Sequence, residues 1–304
     1  LSSLGEQALV LDSGNALFRV MGGASDEDKR RAAFVLDTMG ALRTAVLGVG
    51  FRDLSGGPEF LTAEAKKANV QLVSTNLELN GKPAFPRSAL VERNGVKVAV
   101  LAASGTGAVP GAPGLVGVPP LAAIRAELER LPARDLTVLI SAAGYEEAIA
   151  LANELSGTVD LVIQSGEFRG TVPPQPIKDA VLLASGQRGQ AVGKLSLTLG
   201  APKGPFTDLN EAARDKELLA HLDRQLKALD ERLAAATDAA AKKSLAALRT
   251  DMKTRRDAQA KKVKAVQGAR TLELEWVLLG TDVKDDAAVK AKVLEIEPTY
   301  SGLH

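Results

Sequence analysis

Ala8-Leu9-Val10-Leu11 runs directly into Asp12-Ser13-Gly14-Asn15. An apolar run this short, stopped by a turn signal, reads as a buried strand entering a loop. The same grammar recurs downstream. Asp26 to Leu42 reads as a helix, with Ala33, Leu36, Met39 and Ala41 or Leu42 near helical spacing. Ala45-Val46-Leu47-Gly48-Val49-Gly50 is a second buried strand, Pro58 to Asn69 a helix with Pro near its start, and Val70 to Ser74 a third strand. Asn94-Gly95 joins Ala89–Arg93 to Val96–Ala102 as a tight hairpin, since both residues tolerate positive φ. A Gly/Pro-rich loop is expected from Gly105 to Pro120. Beyond it, helices at Leu121–Leu131 and Tyr145–Leu155 alternate with strands at Leu136–Ser141, Val159–Ile163, Val181–Ala184 and Lys194–Leu199. Alternation of this kind indicates an α/β layered domain, and the hairpin makes its sheet mixed.

The pattern breaks at Asp208. No Pro or Gly occurs from there to Gln267. Leu219, Leu222, Leu226, Leu229 and Leu233 recur at the spacing of a coiled-coil seam, continued by Leu245, Leu248 and Met252, with Gly268 as C-cap. Residues 208–238 hold five basic and eight acidic side chains, a net of −3; residues 239–270 hold ten basic and two acidic, a net of +8. Oppositely charged arms favour an antiparallel hairpin with its tip in Ala234–Ala241. Thr271 to Leu279 then alternates Leu272, Leu274, Trp276 and Leu278 against Glu273 and Glu275, a half-buried strand that should pair with Lys194–Leu199. A helix near Asp286–Leu294 follows. The expected organisation is therefore an α/β domain over 1–207, a helical hairpin insertion over 208–270, and a closing strand and helix over 271–304.

Composition sets limits. The 304 residues contain no cysteine and two histidines, with 38 basic against 37 acidic side chains. Disulfides, thiolate zinc sites, Cys nucleophiles and Fe–S clusters are excluded within this chain, as is any site of three imidazoles. Balanced charge argues against a generally basic nucleic-acid binder. No apolar run is long enough for a transmembrane helix. The start at Leu1 rather than Met reads as a processed, trimmed or incomplete N-terminus.

Several segments, in order, resemble the N-terminal domain of bacterial 5′-nucleotidases of the calcineurin-like metallophosphoesterase superfamily. Leu9 to Leu17 resembles the strand ending in Asp-Ala-Gly-Asp, and Met39 to Leu61 the segment carrying Gly-Asn-His-Glu. Asn69 to Leu77 resembles the Ser-Ala-Asn-Leu region, and Asn94 to Leu101 the Gly-Val-Lys-Val hairpin. Leu139 to Tyr145 resembles the Ser-His-Leu-Gly segment, and Val159 to Phe168 the strand and loop of Gly-His-x-His. The resemblance implies a mixed-sheet metallophosphoesterase-like fold, exported or periplasmic location, and two metal ions that activate water for attack on phosphorus. The implied ligands are missing. The aspartate of the Gly-Asp pair corresponds to Asn15, the Asn-His pair to Val49 and Gly50, the next histidine to Ala142, and the last two fall near Gly166 and Phe168.

What remains is a vestigial cleft of Asp12, Asn15, Asp53, Asn76, Gln164 and Glu167. Asp12 to Asn15 is also readable as a plain turn, Asp53 as a turn or capping carboxylate, and Gln164 to Glu167 as a solvated loop. Gly48-Val49-Gly50 lacks the rest of a dinucleotide fingerprint, and Gly105–Gly117 lacks the Gly-Lys-Ser/Thr of a phosphate loop. On the hairpin, Lys242, Lys243, Arg249, Lys253, Arg255, Arg256, Lys261 and Lys262 form a basic arm, read either as a solvated face or as a surface for a protein partner. It has no interleaved aromatic residues for base stacking. The favoured expectation is a non-catalytic binding or scaffold module without a cofactor. The alternative is a metal-dependent phosphatase whose divalent metal ion draws ligands from upstream of Leu1, or from Asp12, Asp53 and Glu167. A further alternative places the function in a domain beyond His304.

Overall fold

The computed structural model describes residues 7–165, 172–184, 191–200, 204–265, 270–280 and 282–298. Gly166, Glu167, Phe168, Gly268 and His304 lie outside them. The chain divides into two compact units, one of residues 1–194 with 276–304 and one of residues 195–275.

The first unit opens with strand β1 (Val10–Asp12), helix α1 (Asp26–Ala41), β2 (Thr44–Gly48), α2 (Pro58–Lys67) and β3 (Gln71–Val73). The three strands form a parallel sheet in the order β1-β2-β3. Helix α1 begins in a capping box: the Ser25 hydroxyl accepts from Asp28 N at 3.1 Å while the Asp28 carboxylate accepts from Ser25 N at 3.2 Å. Ala32 and Leu36 of α1, Leu61 and Ala65 of α2, and Leu47 and Leu72 of the sheet share one buried cluster.

Then come β4 (Leu77–Leu79), β5 (Lys82–Pro83), β6 (Ser88–Arg93), β7 (Val96–Ala103), β8 (Gly107–Ala108), β9 (Leu115–Gly117), α3 (Pro120–Arg130), β10 (Leu136–Ser141), α4 (Tyr145–Glu154), β11 (Leu161–Gln164), β12 (Gln175–Ile177) and β13 (Ala180–Ala184). Six of these strands form a mixed sheet ordered β12-β13-β11-β10-β7-β6, antiparallel only at its two edges. Asn94 (φ 51°) and Gly95 (φ 76°) make the hairpin turn at one of those edges. Ile124 of α3 and Ala148, Leu151 and Ala152 of α4 pack on Leu101 and Leu139. All six residues of β10 are buried. One face of that strand meets these helices. Its other face meets the first sheet, where a Cβ on Gly48 would stand 2.9 Å from Ile140 Cδ1. A fully buried side chain of this size contributes about 1.5–3 kcal/mol.

The structure corrects the expected loop between Gly105 and Pro120. Strands β8 and β9 lie within it and join β4 and β5 in a small antiparallel sheet. Runs of two or three residues between Gly and Pro carry too little alternation to read as strands. Near the C-terminal end of the first unit, helix α7, Ala287–Ile296, is capped by Asp286.

A further sheet has the order β14-β16-β15, where β14 is Ala191–Thr198, β15 is Thr207–Asp208 and β16 is Thr271–Leu278. The expected neighbouring of the two alternating strands is therefore found. Between β15 and β16 run helices α5 (Leu209–Ala235) and α6 (Ala239–Ala265), of 27 residues each, about 40 Å at 1.5 Å per residue. Asp208 caps α5 through Asn210 N, and Asp238 receives Ala241 N at 2.7 Å at the start of α6. The arms are antiparallel, because contacts pair early residues of α5 with late residues of α6. Gln259 donates to Asp215 at 2.8 Å, Arg256 to Asp223 at 2.8 Å, and Arg249 to Asp230.

These contacts correct the reading of the second arm. Leu248 is exposed, at 47%. The inward row runs through Leu245, Arg249, Met252, Arg256, Gln259 and Val263, which are half-buried or buried. Long polar side chains take inward positions by burying their stems and meeting acids on the other arm. A search restricted to apolar residues misplaces that row.

Candidate functional site

The loops that follow β1 and β2 meet at one carboxylate. Asp53 lies in a short 3₁₀ turn, Arg52–Leu54, and has no solvent exposure. Its Oδ2 accepts from Asn15 N at 2.6 Å and Gly50 N at 2.8 Å. Its Oδ1 accepts from Ala16 N at 2.8 Å and Leu17 N at 3.1 Å. Four backbone N–H groups from two loops therefore converge on one side chain. Burial pushes the Asp53 carboxyl up to about 6; Gly50, Leu17 and Asn15 N–H groups pull it down, and the nearby Asp12 charge pushes it further up. Asp12 is also raised by burial, against the Gly14 N–H that it accepts at 2.8 Å.

Asn15 is the second element of this junction. Its backbone is left-handed at φ 59°, which asparagine tolerates better than most residues. Its Nδ2 donates to Ala142 O at 3.1 Å, and its Oδ1 accepts from Arg52 N at 3.1 Å. One side chain thereby links the ends of β1, β2 and β10. Gly14, at φ 91°, must be glycine for space as well, since a Cβ there would stand 2.1 Å from Gly48 O.

Asn76 and Gln164 occupy separate places around this junction. Asn76 is fully buried. Its Oδ1 accepts from Ser104 N at 2.7 Å, and its Nδ2 donates to Val118 O at 2.7 Å and Ser104 O at 3.2 Å. It clamps the loops after β7 and β9 and faces no open crevice. Gln164 is 2% exposed and donates to Ala143 O at 3.2 Å. Three serines that the sequence reading did not single out complete the network. Ser104 Oγ donates to Val49 O at 2.5 Å and shares a hydrogen bond with Ser74 Oγ at 2.8 Å, while Ser165 Oγ donates to Gly14 O at 2.8 Å. Their only sequence signal is position, each just past or at a strand end.

A metal pair does not fit these residues. Both Asp53 oxygens are committed to backbone N–H groups, and the Asn15 carbonyl oxygen is taken by Arg52 N. At the positions expected for the Asn-His pair, Val49 is fully buried, and Gly50 has no room for a side chain, because its Cβ would stand 2.3 Å from Asn15 Oδ1. Among the described residues no group of three or more His, Asp or Glu side chains converges as a metal site would require.

On the hairpin, the basic arm separates into two sets. Arg249 and Arg256 are directed to Asp230 and Asp223 of the other helix and do not belong to an outward face. Arg255 pairs with Asp251 and Lys253 with Asp257 along α6 itself. Lys242, Lys243, Lys261 and Lys262 are exposed. Among the described residues no helix is long and apolar enough to cross a membrane.

No family model and no curated protein matches the chain. Solved structures do. A 5′-nucleotidase precursor from Thermus thermophilus matches at 23% identity with a TM-score of 0.51, over 63% of this chain and 42% of that one. A sulfate thiohydrolase from the same organism matches at 21% identity and a TM-score of 0.56, over 67% and 38%. An NAD nucleotidase from Haemophilus influenzae matches at 16% identity and a TM-score of 0.53, over 67% and 46%. The chain thus spans less than half the length of each relative, and at these identities the likeness concerns architecture alone. The chain carries a metallophosphoesterase-like fold of the 5′-nucleotidase kind.

Proposed function

We propose that this chain is a non-catalytic module on a 5′-nucleotidase-like scaffold, working outside the cytoplasm as a binding or scaffolding element without a metal cofactor. The inserted segment 208–270 is its partner-facing element, and the partner is a protein. One observation carries the reading: Asp53, a carboxylate of the loop that holds Val49 and Gly50, spends both oxygens on four backbone N–H groups. A carboxylate so committed holds loops together and has no lone pair directed at a cation. The substitutions at Asn15, Val49, Gly50 and Ala142 point the same way. For the hairpin, support comes from its length and from the exposed lysines Lys242, Lys243, Lys261 and Lys262, which the acidic residues of the other arm do not cover.

The test is metal content and turnover. Purified chain is dialysed against Mn²⁺ and Zn²⁺, analysed for bound metal, and assayed with a nucleoside monophosphate and an aryl phosphate. The expected result is substoichiometric metal and no hydrolysis above background. Stoichiometric metal together with hydrolysis overturns the reading.

A further inference from the structure

We infer that the crevice at the ends of β1, β2 and β10 is plugged by the chain's own Asn15 side chain, seated over Gly50, so that putting histidine back does not rebuild a cation site. This rests on the non-catalytic reading and adds a cause: the ligands are not merely absent, the space for them is filled.

The Asn15 amide occupies the volume into which a side chain at position 50 would grow. A Cβ on Gly50 would come within 2.3 Å of Asn15 Oδ1, 2.6 Å of Asn15 Cγ and 2.9 Å of Asn15 N. Contacts this short require movement. Asn15 cannot swing away freely, because its side chain is tied at both ends, to Ala142 O and to Arg52 N. Its backbone is tied as well, since Asn15 N donates to Asp53 at 2.6 Å. Asp53 in turn holds Gly50 N at 2.8 Å, so the two loops are locked at the separation that creates the clash. The Nδ2 bond ends on the backbone carbonyl of Ala142, the residue at which the resemblance expects another histidine. The two shortest of these contacts are made by one side chain, and that part of the obstruction can be removed genetically.

The experiment is a double-mutant cycle in the full chain. The cost of Gly50→His in urea unfolding is measured in the native background and in an Asn15→Gly background, where glycine also suits the left-handed backbone. Mn²⁺ binding is followed in parallel by electron paramagnetic resonance on the native chain, on Gly50→His and on Gly50→His/Ala142→His. The expected result is a clear loss of stability for Gly50→His, most of it absent when Asn15 is glycine, and no stoichiometric Mn²⁺ in either histidine variant. Equal costs in both backgrounds overturn the inference, as does a Gly50→His chain as stable as the native one. Stoichiometric Mn²⁺ in a histidine variant also overturns it. If a histidine variant fails to fold, Gly50→Ala in the same two backgrounds decides by the same comparison. Stoichiometric Mn²⁺ and hydrolysis in the native chain would instead count against the non-catalytic reading itself, so the two failures are distinguishable.

Discussion

Replacing Asn76 by aspartate changes no heavy-atom shape; it exchanges an NH₂ group for an oxygen. The Asn76 Nδ2 donates to Val118 O at 2.7 Å and Ser104 O at 3.2 Å, while Oδ1 accepts from Ser104 N at 2.7 Å. In Asn76→Asp the new oxygen faces three carbonyl oxygens, those of Val118, Ser104 and Gly105, at a position with no solvent exposure. The hydrogen bonds donated by Nδ2 are lost, and a charge is buried with the Ser104 N–H as its remaining partner. A buried, uncompensated charge costs about 3–5 kcal/mol. With a urea slope of about 2–3 kcal/mol per molar, the unfolding midpoint at pH 8 falls by about 1–2 M. Fluorescence of the single tryptophan, Trp276, reads the first unit, where its indole donates to Val172 O at 3.4 Å. The loss must depend on pH with a definite sign. Burial against carbonyls raises the folded pKa of the new carboxyl above its unfolded value of about 3.9. The folded variant therefore keeps its proton to higher pH than the unfolded chain. Its stability is fully present below the unfolded pKa and lost as pH rises through the folded one. In acid the gap to the native chain narrows, because the protonated carboxyl can donate to Val118 O. Asn76→Ala loses the same bonds but gains no titrating group, so its gap stays level with pH. An Asn76→Asp chain within about 0.5 kcal/mol of native at pH 8, the scale of an ordinary surface change, refutes the assignment of Asn76 as a clamp.

Further outcomes follow from single contacts. Gly14→Ala drives a Cβ to 2.1 Å from Gly48 O at a backbone φ of 91°; a loss of about 3 kcal/mol or more is expected in the same fluorescence assay, and an unchanged midpoint would place the loop elsewhere. Asp53, raised from 3.8 to about 6, should titrate near that value by carbon-detected NMR. Its contribution to stability is complete below pH 3.8 and is lost as pH rises through about 6, so a carboxyl already ionised at pH 4 contradicts the described burial. Leu229→Ala truncates a side chain 5% exposed on α5; it should cost about 2–4 kcal/mol, seen as earlier loss of helical circular dichroism, whereas no change would mean that the arms do not pack there.

The elements with a strong local signature were legible in the sequence. The apolar runs at Val10–Asp12, Thr44–Gly48 and Leu136–Ser141, the Asn94-Gly95 turn and the alternation of Thr271–Leu278 depend on periodicity and turn chemistry that act over a few residues. The two-residue pairing of β8 was not legible, because so short a strand has no period to detect. Arg249 and Arg256 looked like part of an outward basic face for a related reason. Nothing local distinguishes an arginine that reaches solvent from one that reaches Asp230 or Asp223 on a neighbouring helix.

The candidate site divides along the same line. The sequence by itself determined that Gly50 and Ala142, where the resemblance implies histidines, offer no imidazole at any geometry. It also singled out Asp53 as a lone carboxylate suited to capping. Only the tertiary structure decided what that carboxylate holds, because three of its four N–H partners come from Asn15, Ala16 and Leu17, more than thirty residues earlier. It likewise decided that Asn15 fills the space above Gly50. Local sequence specifies the strands, but which loop ends meet is set by the packing of separate strands into sheets, and a contact of that kind leaves no periodic trace in the chain that makes it.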